Sequence, residues 1–275
     1  MMSIEEKFRI LNDRGEGALI GYITCGDPTI KHTLSIAKAL IDGGIDMLEI
    51  GIPFSDPIAD GPVIQRAVVR ALRSGTRPSM AFDLAKKIRI DHPQVPVIIL
   101  TYYNVIFRMG IERFFRLASE NYVSGVIVPD MTIEESLEYR EIADKYNVDR
   151  IFLAAPTTSN ERLKKIMECS SGFVYLVSVF GVTGIRDRFS EESIRFIRRA
   201  SLISGGKTRI AVGFGISRPS HVREVIANGA DGAIVGSRLI KIIEDNIDDE
   251  ERMLRDLKNY VRRLKKATVK GIEVS

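Results

Sequence analysis

The sequence predicts a closed (β/α)8 barrel, and three observations favour it. Short apolar runs alternate with amphipathic stretches along the whole chain, eight times in all. The apolar runs are nearly continuous rather than alternating, which is typical of parallel strands covered on both faces. The length of 275 residues suits single barrels, which commonly have about 250 residues. An open doubly wound sheet has the same alternation, and the pattern leaves it as the alternative.

Each predicted strand is a short run rich in branched apolar residues, and the stretches between strands have the 3.6-residue periodicity of helices. The predicted strands are Ala18–Thr24, Met47–Ile50, Val95–Leu100, Gly125–Val128, Arg150–Ala154, Phe173–Ser178, Arg209–Val212 and Gly232–Val235. The clearest helical stretches are Thr33–Ile41, Val63–Leu72, Ile111–Asn121, Ile133–Tyr146 and Pro219–Asn228.

Two further helices are predicted outside the regular alternation. Ser3 and Glu6 have the spacing of a capping box, which opens a helix before the first strand, and Gly15 can end it. A second extra helix, about Ser79 to Asp91, fits between strands two and three. Since no linker or repeat interrupts the pattern, residues 1–275 are expected to form one domain.

Composition narrows the function classes. The formal net charge is +4, and without an aromatic-interleaved basic stripe this favours a mildly basic surface over nucleic-acid binding. Cys25 and Cys169 are the only cysteines, which fits a reducing compartment. The N-terminus lacks the apolar segment of a signal peptide, and no run of about 20 apolar residues exists. We therefore expect a cytoplasmic protein without a membrane span.

A carboxylate inside the second strand is the first candidate for chemistry. Glu49 lies near the end of an apolar run, and active sites of such barrels lie at the carboxyl ends of the strands. The strands carry almost no cations, because Arg150 and Arg209 are at strand starts, the opposite end. Burial without a cation raises the pKa of a carboxyl group. Glu49 is therefore predicted to carry a proton near neutral pH.

Two more acids follow on the next loop. Asp56 and Asp60 lie in a segment stiffened by Pro53, Pro57 and Pro62. A rigid acidic loop over a barrel mouth suits an acid/base or charge-stabilising role. Either aspartate could instead be a helix cap, and spacing alone does not choose between the two.

Three glycine clusters are candidates for a phosphate site. Residues 213–217 follow the seventh strand, Gly236 and Ser237 follow the eighth and open a helical stretch over 238–245, and residues 181–184 follow the sixth. Glycine turns and helix N-termini offer free amides to an anion, and barrels often hold phosphate on loops seven and eight. We expect a phosphorylated small molecule as the ligand.

Several mechanisms lack their residues. His32, His92 and His221 are far apart, so no metal-ligand spacing predicts a metal-dependent aldolase. No lysine lies near the carboxyl end of a strand, since Lys207 precedes the seventh, so a Schiff-base aldolase lacks its nucleophile. Carboxylate acid/base chemistry remains.

These segments together resemble one family. Residues 49–57 (EIGIPFSDP) and 59–62 (ADGP) are similar to the signature segment of tryptophan synthase alpha subunits. Further segments resemble the family in the same order, namely 23–28 (ITCGDP), 101–104 (TYYN), 129–130 (PD), 155–158 (APTT), 181–184 (GVTG) and 213–216 (GFGI). The resemblance covers nearly the whole chain.

The resemblance implies roles for individual residues. Glu49 is implied as the general acid/base and Asp60 as the carboxylate facing the indole nitrogen, which selects between the two loop aspartates. The implied substrate-binding residues are Tyr22, Leu100, Ile127, Leu153, Tyr175, Thr183 and Phe214. Those implied to hold phosphate are Gly184, Gly215, Gly236 and Ser237, and those implied to face a partner are Pro53, Asp56, Pro57 and Asn104.

The implied activity is the cleavage of indole-3-glycerol phosphate to indole and glyceraldehyde 3-phosphate, a carbon–carbon lyase reaction without metal or Schiff base. The implied partner is a tryptophan synthase beta subunit in an alpha-beta-beta-alpha heterotetramer. Pyridoxal phosphate is expected only in that partner, so no cofactor is expected in this chain. Three alternatives stay open at this point: a lyase that acts alone, a non-catalytic activator of the beta subunit, and another phosphate-binding barrel.

Overall fold

The strands form one parallel sheet, and its two edge strands are consecutive in the sequence. The computed structural model describes residues 1–177, 189–213 and 215–271. The described strands are β1 (Ala18–Thr24), β2 (Met47–Gly51), β3 (Val97–Leu100), β4 (Gly125–Ile127), β5 (Asp149–Ile151), β6 (Leu153–Ala154), β7 (Val174–Leu176), β8 (Ile210–Val212) and β9 (Gly232–Val235). Their order in the sheet is β5-β4-β3-β2-β1-β9-β8-β7-β6.

The barrel closes at Phe152, the single residue between β5 and β6. β5 pairs with β4, while β6 pairs with β7. The Tyr175 amide donates to the Phe152 carbonyl oxygen at 3.0 Å. The predicted fifth strand is therefore one strand position whose two halves bond to opposite neighbours. The predicted (β/α)8 barrel is confirmed, and the open doubly wound sheet is wrong.

Helices surround the barrel, and both predicted extra helices are present. The described α-helices are α1 (Ile4–Asp13), α2 (Ile30–Gly43), α3 (Pro62–Arg73), α4 (Pro78–Asp91), α5 (Tyr103–Met109), α6 (Ile111–Glu120), α7 (Leu137–Lys145), α8 (Asn160–Cys169), α9 (Glu191–Ser204), α10 (Pro219–Ala227), α11 (Ser237–Asp245) and α12 (Glu250–Lys265). A short 3-10 helix, Lys266–Thr268, follows α12. The extra helices are α1 and α4, and the sequence pattern did not predict α5.

The first helix packs against the barrel interior. Its N-cap Ser3 accepts a hydrogen bond from the Glu6 amide at 3.1 Å, as the capping box predicts. Gly15 follows the helix with a left-handed φ of 70°. Phe8 contacts Phe173 edge to face, with ring centroids 6.0 Å apart. The helix thus covers the interior side chains near the start of β7.

Two predicted boundaries differ for local reasons. The third strand begins at Val97 rather than Val95, because Pro96 has no N–H to donate to a ladder. The helix predicted from Ile133 begins at Leu137, after Ser136, whose hydroxyl donates to the Ile133 carbonyl oxygen at 2.8 Å. Within the part of the chain that the structure describes, no helix combines the length and apolar character that crossing a membrane requires.

Phe8→Ala tests whether α1 is part of the core. Phe8 is 2% exposed, so the substitution should lower the free energy of unfolding by about 3–5 kcal/mol. Phe107→Ala is the matched control, because Phe107 is 68% exposed and its loss should change stability by less than about 0.5 kcal/mol. Urea denaturation measures both. Equal losses in the two variants would contradict the interior position of Phe8.

Candidate active site

Glu49 lies on β2 with its side chain inside the barrel. It is paired in register with Tyr22 on β1 and with Ile98 on β3, so the three side chains emerge on one face of the sheet. Ile98 and Met47 belong to the interior cluster, the group of buried apolar side chains inside the barrel that also contains Phe8 and Phe173. Met47 precedes Glu49 by two residues. Glu49 is 1% exposed. The strand therefore places this carboxyl group in the interior, two residues before the strand ends at Gly51.

The environment of Glu49 favours its protonated form. Burial, followed by the negative charge of Asp60, raises the pKa of Glu49 to about 8. Its Oε2 atom is buried and has no hydrogen-bond partner among the described residues. The strand arginines are engaged elsewhere, Arg150 with Asp144 and Arg209 with Asp231. The direction of the shift agrees with the sequence prediction.

Asp60 is held beside Glu49 by a tyrosine. The Tyr102 hydroxyl donates to Asp60 Oδ2 at 3.1 Å and accepts from the Ala59 amide at 3.0 Å. Burial raises the pKa of Asp60 to about 6, and the Tyr102 hydrogen bond opposes that rise. Asp56, in contrast, is exposed, and its Oδ2 accepts from the Ser55 hydroxyl at 2.5 Å. The loop thus brings Asp60 to the buried acid and leaves Asp56 at the surface.

Two tyrosines share the pocket with these acids. Tyr22 and Tyr175 both have a pKa well above the ordinary value, because of burial first and then the nearby carboxyl groups. Glycines make room for the rings. A Cβ atom at Gly51 would lie 2.4 Å from the Tyr22 hydroxyl, and one at Gly213 would lie 2.1 Å from Tyr175 Cε1. The sequence analysis quoted both glycines, Gly213 in a candidate phosphate cluster and Gly51 in the signature segment, but it did not predict that they make room for the tyrosine rings.

The predicted apolar lining lies on neighbouring strands. Ile127 belongs to the interior cluster, and Leu100, Leu153 and Tyr175 pack against it. Leu100 is paired with Ile127 and Leu153 with Tyr175. Of the other predicted substrate-binding residues, Thr183 and Phe214 lie outside the described residues, as does the predicted phosphate-binding residue Gly184.

The loops after β8 and β9 carry the remaining predicted phosphate residues. Gly215 is exposed and has a left-handed φ of 68°. Gly236 is the N-cap of α11, with no side chain capping the helix, and Ser237 is the exposed first residue of that helix. The first amides of an uncapped helix are free to bind an anion.

A network of ion pairs connects segments at the carboxyl end of the barrel, and the sequence analysis did not predict it. Arg70 on α3 binds both carboxylate oxygens of Asp27, at 2.7 and 2.9 Å, and Glu244 on α11 at 2.9 Å. The Asp27 side chain is fully buried. Hydrogen bonds from Arg66, Lys241 and Arg70 lower the pKa of Glu244 to about 2, with Arg66 the largest cause. The network joins the β1 loop, the helix that follows Asp60 and the helix that begins at Ser237. The signal that could have found it is a charged residue beside the buried face of α3.

A groove lies beside the acidic loop. Its volume is about 460 Å³, and its lining includes Pro53, Phe54, Asn104, Val105, Arg108 and Met109. Two of the predicted partner-facing residues, Pro53 and Asn104, line it. The other two, Asp56 and Pro57, lie on the loop that continues from Phe54. Over the described ranges, no group of three or more potential metal ligands is present.

Comparison with known proteins decides the family. The family model for the tryptophan synthase alpha chain matches residues 8–269. The chain belongs to the tryptophan synthase alpha chain family. It is 49% identical over 271 residues to the tryptophan synthase alpha chain of Methanopyrus kandleri, covering 98% of this chain and 94% of that protein. It is 50% identical over 249 residues to the alpha chain of Methanocaldococcus jannaschii, covering 90% and 87%.

Solved structures of tryptophan synthase have the same fold as this alpha chain. A structure from Mycobacterium tuberculosis superimposes with a TM-score of 0.88 at 32% identity, covering 98% of this chain and all of that one. A tryptophan synthase complex from Pyrococcus furiosus gives a TM-score of 0.83 at 39% identity, covering 91% and 98%. The reaction of an alpha chain, the lyase cleavage of indole-3-glycerol phosphate, is therefore the reaction of this protein.

Glu49→Gln tests the protonation of the buried acid independently of activity. Folded Glu49 keeps its proton to about pH 8, whereas its ordinary pKa is 4.5. Between these values the folded state binds more protons, so the stability of the wild type falls as pH rises. Glutamine does not titrate, so the variant's stability relative to wild type should rise by about 3 kcal/mol from pH 5 to pH 8.

Urea denaturation at each pH measures this difference in the free energy of unfolding. Asp56→Asn is the control, because that carboxylate is exposed and its removal should shift stability by less than about 0.5 kcal/mol at every pH. A difference between wild type and Glu49→Gln that stays constant with pH would show that Glu49 is ionised throughout.

Proposed function

We propose that Glu49 is the general acid/base of the lyase and that Asp60 stabilises positive charge on the indole ring. One observation carries the proposal. A carboxyl group with a pKa of about 8 and another of about 6 share one buried pocket with two tyrosine rings. Near neutral pH the first is protonated and the second ionised, which separates the roles of acid and anion.

Glu49 acts first as an acid. Breaking the bond between indole C3 and the glycerol chain requires a proton on C3, and the protonated carboxyl group of Glu49 supplies it. The resulting carboxylate then takes a proton from the hydroxyl group beside the breaking bond. The indole ring accepts the electrons and is released with C3 protonated, so the chain's own residues need neither a metal nor a Schiff base for this sequence. We propose that this chain binds no cofactor.

Asp60 stabilises the intermediate. Protonation at C3 puts positive charge on the ring nitrogen, and an ionised carboxylate beside it lowers the energy of that state. The Tyr102 hydrogen bond favours the ionised form of Asp60, because the hydroxyl donates to it. The apolar pocket around the pair strengthens the interaction, since few water molecules screen it.

The remaining predicted residues bind the substrate. Tyr22, Leu100, Ile127, Leu153 and Tyr175 offer apolar and aromatic surface to the indole ring, with Phe214 as a further predicted contact. The predicted phosphate site combines Gly215 with Gly236 and Ser237 at the N-terminus of α11, where the helix dipole favours an anion. Thr183 and Gly184 are proposed to complete the pocket on the substrate side.

The groove beside the acidic loop is proposed to receive a beta subunit. Pro53 and Asn104 line it, and Asp56 and Pro57 are on the adjoining loop. Ile58 on that loop is 82% exposed and offers apolar surface next to the groove. The related Pyrococcus furiosus structure is of a tryptophan synthase complex. We propose an alpha-beta-beta-alpha assembly in the cytoplasm, with pyridoxal phosphate in the partner alone.

Glu49→Gln and Asp60→Asn test the catalytic roles. Loss of the transferable proton or of the stabilising charge should lower kcat by about 100-fold or more in each variant. The measurement is the release of indole from indole-3-glycerol phosphate by the purified chain, with and without a beta subunit. Asp56→Asn is the matched control, and it should keep its turnover without the partner.

The same assay separates the alternatives. Turnover that falls in both variants and rises with the partner supports the alpha-subunit role. Fast wild-type turnover that is indifferent to the partner favours a lyase that acts alone. Wild-type protein that raises beta-subunit activity but releases no indole under any condition would overturn the catalytic proposal in favour of an activator.

The pH dependence of kcat/KM should be bell-shaped. The pKa of Asp60 is raised to about 6 and that of Glu49 to about 8. Activity should rise as the pair loses its first proton, which ionises Asp60, and fall as it loses the second, which removes the acid. Initial rates between pH 5 and 9 at low substrate concentration measure the profile. Activity that still rises above pH 8 would contradict Glu49 as the initial acid.

A further inference from the structure

The peptide group between Gly215 and Ile216 is held by a buried histidine that no step of the proposed mechanism uses. His221, on α10, is 3% exposed, and its Nδ1 lies 2.8 Å from the Gly215 carbonyl oxygen. A carbonyl oxygen can only accept, so Nδ1 carries the hydrogen and donates it. The Ser217 amide nitrogen and hydroxyl oxygen lie farther from the same nitrogen, at 3.3 and 3.5 Å, and a protonated Nδ1 cannot accept from that amide. The shorter contact therefore defines the hydrogen bond.

This bond also fixes the direction of an amide. In a planar trans peptide the N–H lies on the edge opposite the carbonyl oxygen, so the Ile216 amide points away from His221 and α10. Gly215 has a left-handed φ of 68°, and such a residue turns successive amides toward one side, as in anion-binding nests. Within the described ranges, the Ile216 amide donates to no acceptor. Among the described residues, therefore, no acceptor competes with a ligand for this amide.

Packing alone does not explain a histidine at this position. The ring contacts that of Phe189, with centroids 5.3 Å apart, a contact that an apolar side chain could also make. Nε2 is buried and has no hydrogen-bond partner among the described residues, which costs free energy. An apolar residue would fill the same space without that cost. The feature that only a donor provides is the bond to the Gly215 carbonyl oxygen.

A second side chain from the outer helices binds the loop that follows β8. The Tyr260 hydroxyl, on α12, donates to the Ser217 carbonyl oxygen at 3.0 Å. Two helices of the outer layer, α10 and the terminal α12, therefore hold the carbonyl oxygens of residues 215 and 217 on the outer side of the loop. The loop is thus held at the carbonyl oxygens of residues 215 and 217, and the Ser217 amide also lies on the His221 side, so the Ile216 amide is the donor that points the other way.

We propose that His221 is a positioning residue for the substrate phosphate. From outside the barrel it holds the Gly215–Ile216 peptide so that the Ile216 amide faces the phosphate group. The inference rests on the proposed phosphate site on loops seven and eight. It adds a residue that never touches substrate but determines how well the anion is bound.

His221→Leu and His221→Asn test this role against a packing role. Asparagine places its Nδ2 donor where histidine has Nδ1 but leaves more empty space, whereas leucine fills space without a donor. If the hydrogen bond matters, glycerol 3-phosphate should inhibit the leucine variant about three- to ten-fold more weakly than wild type. The asparagine variant should stay within about two-fold of wild type by the same reasoning.

Three readouts accompany the inhibition constants: KM and kcat for indole-3-glycerol phosphate, and the affinity for indole alone. The leucine variant should show a raised KM, a nearly unchanged kcat and unchanged indole affinity. Weaker binding of both ligands, with asparagine worse than leucine, would overturn the proposal in favour of packing. Wild-type turnover with an unaffected leucine variant would overturn it while the proposed function stands. If the wild type releases no indole and binds no glycerol 3-phosphate, the proposed phosphate site itself is contradicted.

Discussion

The burial of an uncompensated carboxyl group inside a closed barrel is the constraint on which the site depends. Closure at Phe152 and the packing of Phe8 against Phe173 keep the interior around Glu49 apolar. No cation among the described residues pairs with it, and the group keeps its proton near neutral pH at a cost to folding stability. A salt bridge at this position would stabilise the fold and remove the acid. In the proposed mechanism, the barrel therefore loses folding stability at the position that supplies the weak acid.

In the proposed site the acid Glu49 lies on a rigid strand, whereas Asp60 and the phosphate-binding residues lie on or next to loops that must be held in position relative to it. Arg70 is central to that alignment, because it binds Asp27 after β1 and Glu244 on the helix that begins at Ser237. His221 does the same for the loop after β8, through a carbonyl oxygen rather than a charge. Both bind segments next to the proposed ligand site, so helices of the outer layer position its proposed phosphate end and its acidic end.

Local pattern was sufficient for most of the fold. β1 has the predicted bounds, α1 has the predicted cap, and the raised pKa of Glu49 has the predicted direction. Pattern could not show that Phe152 divides a strand position, because pairing with two different neighbours is a property of the closed sheet. It also could not choose between Asp56 and Asp60, since that choice depends on Tyr102, which lies 42 residues beyond Asp60. Contacts between distant segments, rather than local propensity, account for what was missed.

Direct titration of the Glu49 carboxyl group tests the central claim most closely. Carbon-13 labelling of glutamate side chains, with Glu49→Gln to assign the resonance, would report its protonation in the folded chain. The account predicts a midpoint near pH 8, far above the ordinary value of 4.5. A midpoint near 4.5 would mean that Glu49 is already ionised at neutral pH, and it could not then be the acid that protonates the indole ring.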